Sequence, residues 1–399
     1  MTAVAGETVT GPVALARELS PRFAADAAER DRDRSFPAAQ LEELRKSGLC
    51  ALYVPTDVGG LGDDIHALTG VLSALAEGDS SIAQMFLIHV YGVALVNGVH
   101  CPDEVRNAYY RRLIDDGMII TNAFSEVGGK TVFDYSVSFE PTDSGDWRIS
   151  GTKFYCTGSM GGDVFYVLGL CPGDPDPIFR VALVERDADG FIINDDWSGM
   201  GQRTTASGSV EFNDVVVSSD VVFDIDHFGT PESLFGSLGQ CMFASVFTGI
   251  AKAALTDACE YVRTRSRPWP HAEVEKATDD PYVIHTIGRM QTLTSSAEAM
   301  LERAADVRVE AIAEETAEAR DRASVAAAEA KIICGETALE VSELLFQVCG
   351  AGAVLEKYGY DRHWRNARTL TLHDPMAYKI RLVGDFALNG TSPPISVYT

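Results

Sequence analysis

The sequence predicts an α+β multidomain protein in which a helical part, a β part and a second helical part follow one another. Apolar residues recur at helical spacing from about residue 13 to 118, and again from 234 to 349. Between them, from 119 to about 222, short alternating apolar runs replace the helical spacing. With 399 residues, 46% of them hydrophobic, the chain can bury two or three cores. We therefore predict domains at residues 1–118, 119–228 and 229–399.

The first domain is predicted to consist of helices joined by short turns. Apolar residues recur every three or four positions in residues 16–30, 38–47, 65–76 and 81–96. The segments between these runs are rich in Gly, Asp and Pro, which favour turns.

The second domain is predicted to be a β domain because strand-like runs begin at Ile119. Among them are VSFEP, WRISGTKFY, VFYVLGL, VALVER and SVEFNDVVV, and Gly, Pro and Asp separate them.

The third domain is predicted to contain three long helices between residues 234 and 349, of which the alanine-rich stretch 317–330 has the strongest helix propensity. Long amphipathic helices of this kind pack as antiparallel bundles. Glycines in residues 350–359 end the pattern, and a short helix is expected to reach about residue 387. The final NGTSPPISVYT is expected to be a loop or tail packed on a neighbour.

The charge of the chain argues against nucleic-acid and membrane partners. The formal net charge is −25 and the pI is about 4.6, so phosphates and anionic lipids are repelled. The opening residues lack the charged and apolar regions of a signal peptide, and no later run is expected to reach the roughly 18 apolar residues of a membrane span. A cytoplasmic location is the resulting expectation.

The cysteines and glycines exclude several kinds of site. The eight cysteines lie far apart, without a C-x-x-C pair or zinc-like His/Cys spacing, so reduced structural thiols and no metal site are predicted. The sequence has no P-loop and no G-x-G-x-x-G motif after a strand, which argues against a doubly wound nucleotide-binding domain.

Four segments in the expected order resemble motifs of the acyl-CoA dehydrogenase superfamily. They are VPTDVGGLGDD, ISGTKFYCTG, SVEFNDVVV and QVCGAGAVLEKYGYDRHWRNAR. The resemblance implies the acyl-CoA dehydrogenase fold: an N-terminal helical domain, a middle β-barrel-like domain and a C-terminal four-helix bundle. A closer resemblance, over residues 36–396, is to the dibenzothiophene monooxygenases, a flavin-dependent family of that superfamily. It is densest in GTKFYCTGSMGGDVFYVLG, NDDWSGMG, YVRTRSRPW and HWRNARTLTLHDPMAYKI.

The residues at the two positions that supply a base in the dehydrogenases argue against removal of an α-proton. At the first, His373-Asp374-Pro375 stands where dehydrogenases often carry a glutamate. At the second the chain has Gln240, which cannot be a base, in a run free of acidic residues from 237 to 251. Asp374 could still serve as a shorter base, so an FAD-dependent acyl-CoA dehydrogenase is the alternative. A catalytically silent scaffold is a third hypothesis.

The resemblance implies three catalytic residues for oxygen chemistry. Thr157 would bond near flavin N5, His373 would face a C4a-hydroperoxyflavin, and His89 would face the substrate. Each also has a structural interpretation. His89 lies among apolar residues and could be a core histidine, His373 could cap a helix, and Thr157 could be present for its strand propensity.

The resemblance also implies a set of flavin contacts. Asn122 and Ser125 would lie along the pyrimidine edge, Trp197 over the ring, and Arg267 at the phosphate of a neighbouring subunit's flavin. Further contacts would come from Tyr155, Thr157, Arg368 and Thr369, whereas Gln347, Gly350 and Gly352 resemble the region that meets adenosine in FAD enzymes. Trp197 could equally be a core tryptophan, Arg267 a surface arginine and the glycines a turn.

Together these features predict a two-component monooxygenase that uses FMNH2 and O2. The expected reaction oxygenates a heteroatom of a small apolar substrate, either the sulfur of an aromatic thioether such as a dibenzothiophene-like compound or an amine nitrogen; ring hydroxylation stays open. FMN is the expected cofactor, with FAD left open. The expected partners are a separate NAD(P)H:flavin reductase, because the chain has no nicotinamide motif, and three further copies in a homotetramer.

Overall fold

The computed structural model describes residues 11–99, 101–129, 134–171, 179–224 and 230–399. The predicted domain boundary at 228/229 and residues 1–10 lie outside these ranges.

The N-terminal helices form as the spacing of apolar residues predicts, with one break. The expected helix 16–30 is two helices, because the chain turns at Ala25 and Asp26 and Arg30 reaches back to the carbonyl of Phe23 at 2.7 Å. Arg30 also pairs with Asp79 at 2.7 Å, and Asp79 caps the fifth helix through Ser81 N. The helices are α1 Pro12–Ala24, α2 Ala27–Asp33, α3 Ala38–Lys46, α4 Ile65–Gly78, α5 Ser80–Gly98 and α6 Asp103–Asp115.

The middle region forms one curled sheet in the order β6-β7-β3-β2-β4-β5-β8, with β1 paired in parallel to β4. The five predicted strand runs are confirmed, and three short strands, β1, β6 and β8, were not predicted. The strands are β1 Ile120–Ala123, β2 Ser138–Pro141, β3 Trp147–Lys153, β4 Val164–Leu170, β5 Phe179–Glu185, β6 Phe191–Ile193, β7 Val210–Val217 and β8 Val222–Asp224.

The C-terminal region contains the three predicted long helices, and two shorter helices follow them. The helix α7 packs along α9 and against α4, and α10 and α11 pack against α9. These contacts join the first and third regions around a common apolar core. The helices are α7 Phe235–Thr264, α8 Pro281–Glu314, α9 Ala317–Cys349, α10 Asp361–Leu370 and α11 Met376–Asn389.

Two helices correct the expectation that no run reaches the length of a membrane span. Helices α5 and α7 are long and apolar enough to cross a membrane, but 72% and 94% of their most apolar windows are buried inside the protein. They are apolar on nearly every side because they lie in the core, against β1, α4 and α9.

Candidate active site

A cavity lies where α5, β1, α7 and the end of the chain meet. Its volume is about 90 Å³, or about 580 Å³ when the adjoining open solvent is included. Aromatic and aliphatic side chains form most of its walls, and four polar side chains, Asn122, Ser125, Gln240 and His373, reach it. The other lining residues are Leu87, Ile88, Tyr91, Phe124, Tyr166, Gly239, Phe243, Val397 and Tyr398.

His373 is the imidazole of this cavity. It follows α10 in the turn before α11, and its ring lies 4.3 Å from that of Phe243 and 6.0 Å from that of Tyr398. Desolvation lowers its pKa, although 42% of the side chain is exposed and the residue lines both this cavity and a neighbouring groove along α11. The imidazole is therefore neutral at pH 7, with one nitrogen that donates and one that accepts.

A buried charge cluster lies behind His373. Asp374 pairs with Lys331 and, at 2.8 Å, with Lys379; the three residues are 6%, 0% and 4% exposed. Burial alone would raise the pKa of Asp374, but the contact with His373 and the two ammonium groups bring it below its usual range. Desolvation lowers the pKa of Lys331 to about 8. Asp374 is thus an ion-paired carboxylate that does not line the cavity.

Asn122, on the β1 wall of the cavity, offers a hydrogen-bond acceptor that no described residue uses. It is 8% exposed, and its Nδ2 donates to the carbonyl of Tyr155 at 3.3 Å. Its Oδ1 is buried and has no partner among the described residues. Because an unpaired buried acceptor is costly, the arrangement fits a bound ligand that brings an N–H group.

Two buried ionic side chains fix the segment that carries Ser125. Lys153 is fully buried in β3, and its Nζ donates to the carbonyl of Phe124 at 3.0 Å and to Glu126 at 2.7 Å. Desolvation lowers the pKa of Lys153 to about 8. Phe154 N also donates to the Ser125 carbonyl at 2.9 Å, so Ser125 is held from both sides.

The predicted flavin-facing residues of the β domain lie next to Asn122. Tyr155 has a positive φ of 60°, a strained conformation that turns the chain after β3 and leaves its ring 52% exposed. Its ring meets Trp197 edge-on at 6.2 Å, and the Trp197 indole donates to the Gln202 carbonyl at 2.8 Å. Thr157 is 5% exposed and shares its hydroxyl hydrogen bond, 2.9 Å, with Ser207.

The structure does not bring His89 to the cavity. It is 0% exposed, its Nε2 donates to the Cys50 carbonyl at 3.0 Å, and its Nδ1 accepts from Ile120 N at 3.1 Å. Desolvation lowers its pKa to about 4. With both nitrogens bonded to backbone, His89 is a structural histidine that joins α5 to β1, and its predicted place on the substrate side is corrected.

Three predicted cofactor residues also lie away from the cavity. Arg267 is exposed in the loop after α7. Arg368 lies beside Trp364 in a separate surface groove with Gln347 and several glutamates. Thr369 donates its hydroxyl hydrogen bond to the carbonyl four residues before it, within α10.

The end of the chain forms part of the cavity wall, which the sequence did not predict. Val397 and Tyr398 line the cavity, and Arg320 on α9 holds the segment by donating to the Pro393 carbonyl at 2.9 Å. The segment packs so closely on α7 that a Cβ at Gly236 would lie 1.9 Å from the Thr399 carbonyl oxygen.

Both helical regions match models of one family. Residues 14–117 match the acyl-CoA dehydrogenase N-terminal domain, and residues 241–378 match the acyl-CoA dehydrogenase C-terminal domain.

Individual relatives cover nearly the whole chain. The sequence is 35% identical to the dibenzothiophene monooxygenase of Rhodococcus qingshengii, over 96% of this chain and 94% of that protein. It is 32% identical to the probable FMNH2-dependent monooxygenase SfnC of Pseudomonas putida, over 97% of each chain. The crystal structure of TdsC from Paenibacillus sp. A11-2 with FMN and indole superposes with a TM-score of 0.92 at 34% identity, over 97% of this chain and 99% of that chain.

Proposed function

This chain belongs to the flavin-dependent monooxygenase branch of the acyl-CoA dehydrogenase superfamily and is an FMNH2-dependent monooxygenase, and from this premise we propose its reaction and site. We propose that it is the oxygenating component of a two-component system of the C4a-hydroperoxyflavin type. Its substrate is a small, neutral aromatic molecule that is oxygenated at a heteroatom, either a thioether sulfur or an amine nitrogen.

One observation carries this proposal: among the described residues, no Asp or Glu side chain lines the cavity. Removal of an α-proton needs a carboxylate or another base at the substrate, with a pKa near the working pH. Gln240 stands on the wall instead, and Asp374 is ion-paired to two lysines behind it. The ion pairs of Asp374 and the relationship to monooxygenases therefore argue against the alternative, an acyl-CoA dehydrogenase with Asp374 as base.

The residues beside the cavity fit FMN. The orphaned Oδ1 of Asn122 would accept from the imide N–H of the flavin, and Ser125, Thr157 and Trp197 would bind or cover the ring. The proposed phosphate contact is Arg267 of a neighbouring subunit. Reduced FMN supplies two electrons to O2, so that one oxygen atom reaches the substrate and the other leaves as water.

His373 is proposed to handle the proton of this reaction. As a neutral imidazole it can donate a hydrogen bond to oxygen and accept one at its other nitrogen, near neutral pH. Phe243 and Tyr398 pack beside it on the cavity wall and hold the imidazole in place. Thr157 is proposed as the second polar group near the flavin.

The cavity walls support a neutral aromatic substrate. Five aromatic side chains line it, and among the described lining residues none is Lys, Arg, Asp or Glu. Aromatic rings stack on such walls, whereas an anion or cation would lose its hydration without a counter-charge.

A homotetramer, a separate NAD(P)H:flavin reductase and a cytoplasmic location complete the proposal. Exposed apolar side chains on α11 support assembly: Tyr378, Ile380 and Leu388 are 68%, 50% and 83% exposed in the single chain. Light scattering during size-exclusion chromatography measures the oligomeric state.

The decisive experiment is rapid mixing of FMNH2-loaded protein with O2, followed by absorbance and by mass spectrometry of product formed from 18O2. We expect an oxygenated flavin that outlives free FMNH2 oxidation, and one 18O atom in an aromatic thioether such as dibenzothiophene. His373→Ala should shorten the life of the intermediate and increase hydrogen peroxide, whereas His66→Ala, a surface histidine 42% exposed, should change neither.

Two outcomes would count against the proposal. Reoxidation of the wild type without an intermediate or labelled product would contradict oxygen transfer. Anaerobic bleaching of bound flavin by an acyl-CoA would support the alternative function, an acyl-CoA dehydrogenase.

A further inference from the structure

The partner of Gln240 decides which end of its amide faces the cavity. Gln240 is 2% exposed and lines the cavity from α7. Its Oε1 accepts a hydrogen bond of 2.8 Å from Lys331 Nζ. Because an ammonium group only donates, the amide nitrogen cannot turn toward Lys331. The Nε2 group is left as a donor on the cavity side.

Lys331 is itself fixed in place. It is fully buried on α9, its ammonium pairs with Asp374, and it lies 4.7 Å from the centre of the Phe243 ring. These contacts hold the ammonium at a defined point behind the wall. The orientation of the Gln240 amide is thus set by Lys331, which does not itself line the cavity.

We propose that Gln240 binds the substrate by donating a hydrogen bond from Nε2, and that Lys331 is the residue that positions its amide. The inference rests on the proposed monooxygenase function and narrows its substrate to an aromatic compound with a hydrogen-bond acceptor, such as a ring nitrogen or an oxygen substituent. A hydrocarbon of the same shape leaves the buried donor unpaired and binds more weakly.

The position of Gln240 assigns this donor to the substrate and not to the flavin. Asn122 lies beside the segment of Tyr155 and Thr157, where the flavin is proposed. Gln240 reaches the cavity from α7, one helical turn before Phe243, whose ring packs on His373. An acceptor on the substrate would therefore meet Gln240 on the wall that carries His373.

Equilibrium dialysis with three fused-ring probes tests the donor in enzyme saturated with oxidised FMN. Naphthalene has no polar group, quinoline carries an acceptor nitrogen and indole a donor N–H. We expect quinoline to bind the wild type about 10-fold more tightly than naphthalene. The isosteric Gln240→Met variant should bind the two equally. Gln240→Glu presents only acceptors toward the cavity and should prefer indole.

The Lys331→Met variant separates positioning from a merely structural role. Without the ammonium the Gln240 amide can rotate. The affinity for quinoline should therefore fall toward that for naphthalene and the affinity for indole should rise, while the affinity for naphthalene stays the same. A general disturbance of the fold would instead weaken all three probes together, and that result would overturn the positioning role.

Two results would contradict the role of Gln240 as a hydrogen-bond donor to the substrate. One is equal affinity of the wild type for quinoline and naphthalene, and the other is a preference for quinoline over naphthalene that persists in Gln240→Met. The assay uses no reduced flavin and no O2. A protein that shows the preference but forms no oxygenated product would therefore contradict the monooxygenase proposal and leave the assignment of Gln240 intact.

Discussion

His89 provides a direct test of the distinction between a structural and a catalytic histidine. Both of its ring nitrogens bond to backbone, and its side chain is fully buried between α5 and β1. The perturbation is His89→Gln, because an amide can still donate to the Cys50 carbonyl and accept from Ile120 N but cannot take up a proton.

The magnitude follows from the difference between the folded and unfolded pKa. Desolvation lowers the pKa of His89 from 6.5 to about 4. Between these values the unfolded chain binds a proton that the folded chain does not, so the free energy of unfolding falls as the pH falls. The full effect is about 3 kcal/mol, of which about 2 kcal/mol appears between pH 7 and pH 5.

Urea unfolding at fixed protein concentration, at pH 7, 6 and 5, measures this effect. We expect the wild type to lose about 2 kcal/mol more than His89→Gln over this range, whereas His66→Gln should follow the wild type. His89→Gln should keep its oxygenation rate at pH 7.5. Parallel pH profiles of wild type and His89→Gln, or loss of oxygenation with unchanged stability, would refute the structural role.

Three further changes test the rest of the site. Asp374→Asn leaves Lys331 and Lys379 without a counter-charge, so urea unfolding should show a loss of about 3–5 kcal/mol; unchanged stability would contradict the buried ion pairs. Asn122→Ala should weaken FMN binding about 10-fold by fluorescence titration, and unaltered affinity would remove Asn122 from the flavin site. Arg320→Met frees the end of the chain, so peroxide release and KM should rise, unless that segment does not close the cavity.

The fold was largely predictable because its periodic segments are long. The helical, β and helical order and the three long C-terminal helices follow from spacing alone. The break at Asp26 and the strands of three or four residues were missed because a turn inside a helical pattern and a short strand leave little periodic signal. The apolar length of α5 was also missed, since a core helix and a membrane span share one composition.

The site residues could be predicted only where a short sequence segment indicates both the location of a residue in the fold and its chemical role. Asn122, Ser125 and His373 lie in motifs, and the structure brings all three to one cavity. The contact of Lys331 with Gln240 joins residues 91 positions apart, and no local sequence pattern predicts such a pair. His89 could not be assigned from sequence, because a core histidine and a site histidine both occupy the apolar face of a helix.

The charge cluster of Asp374, Lys331 and Lys379 has two effects: it keeps a carboxylate base out of the cavity, and it keeps the His373 imidazole neutral. A dehydrogenase keeps its carboxylate in the cavity, where a neighbouring imidazole would be drawn toward its charged form. Here Asp374 lies behind the wall between two lysines, so the cluster keeps one excess positive charge. Desolvation lowers the pKa of His373, and the charges of Lys331 and Lys379 act in the same direction against the pull of Asp374. Lys331 and Lys379, which hold the Asp374 carboxylate away from the cavity, therefore also favour the neutral form of His373.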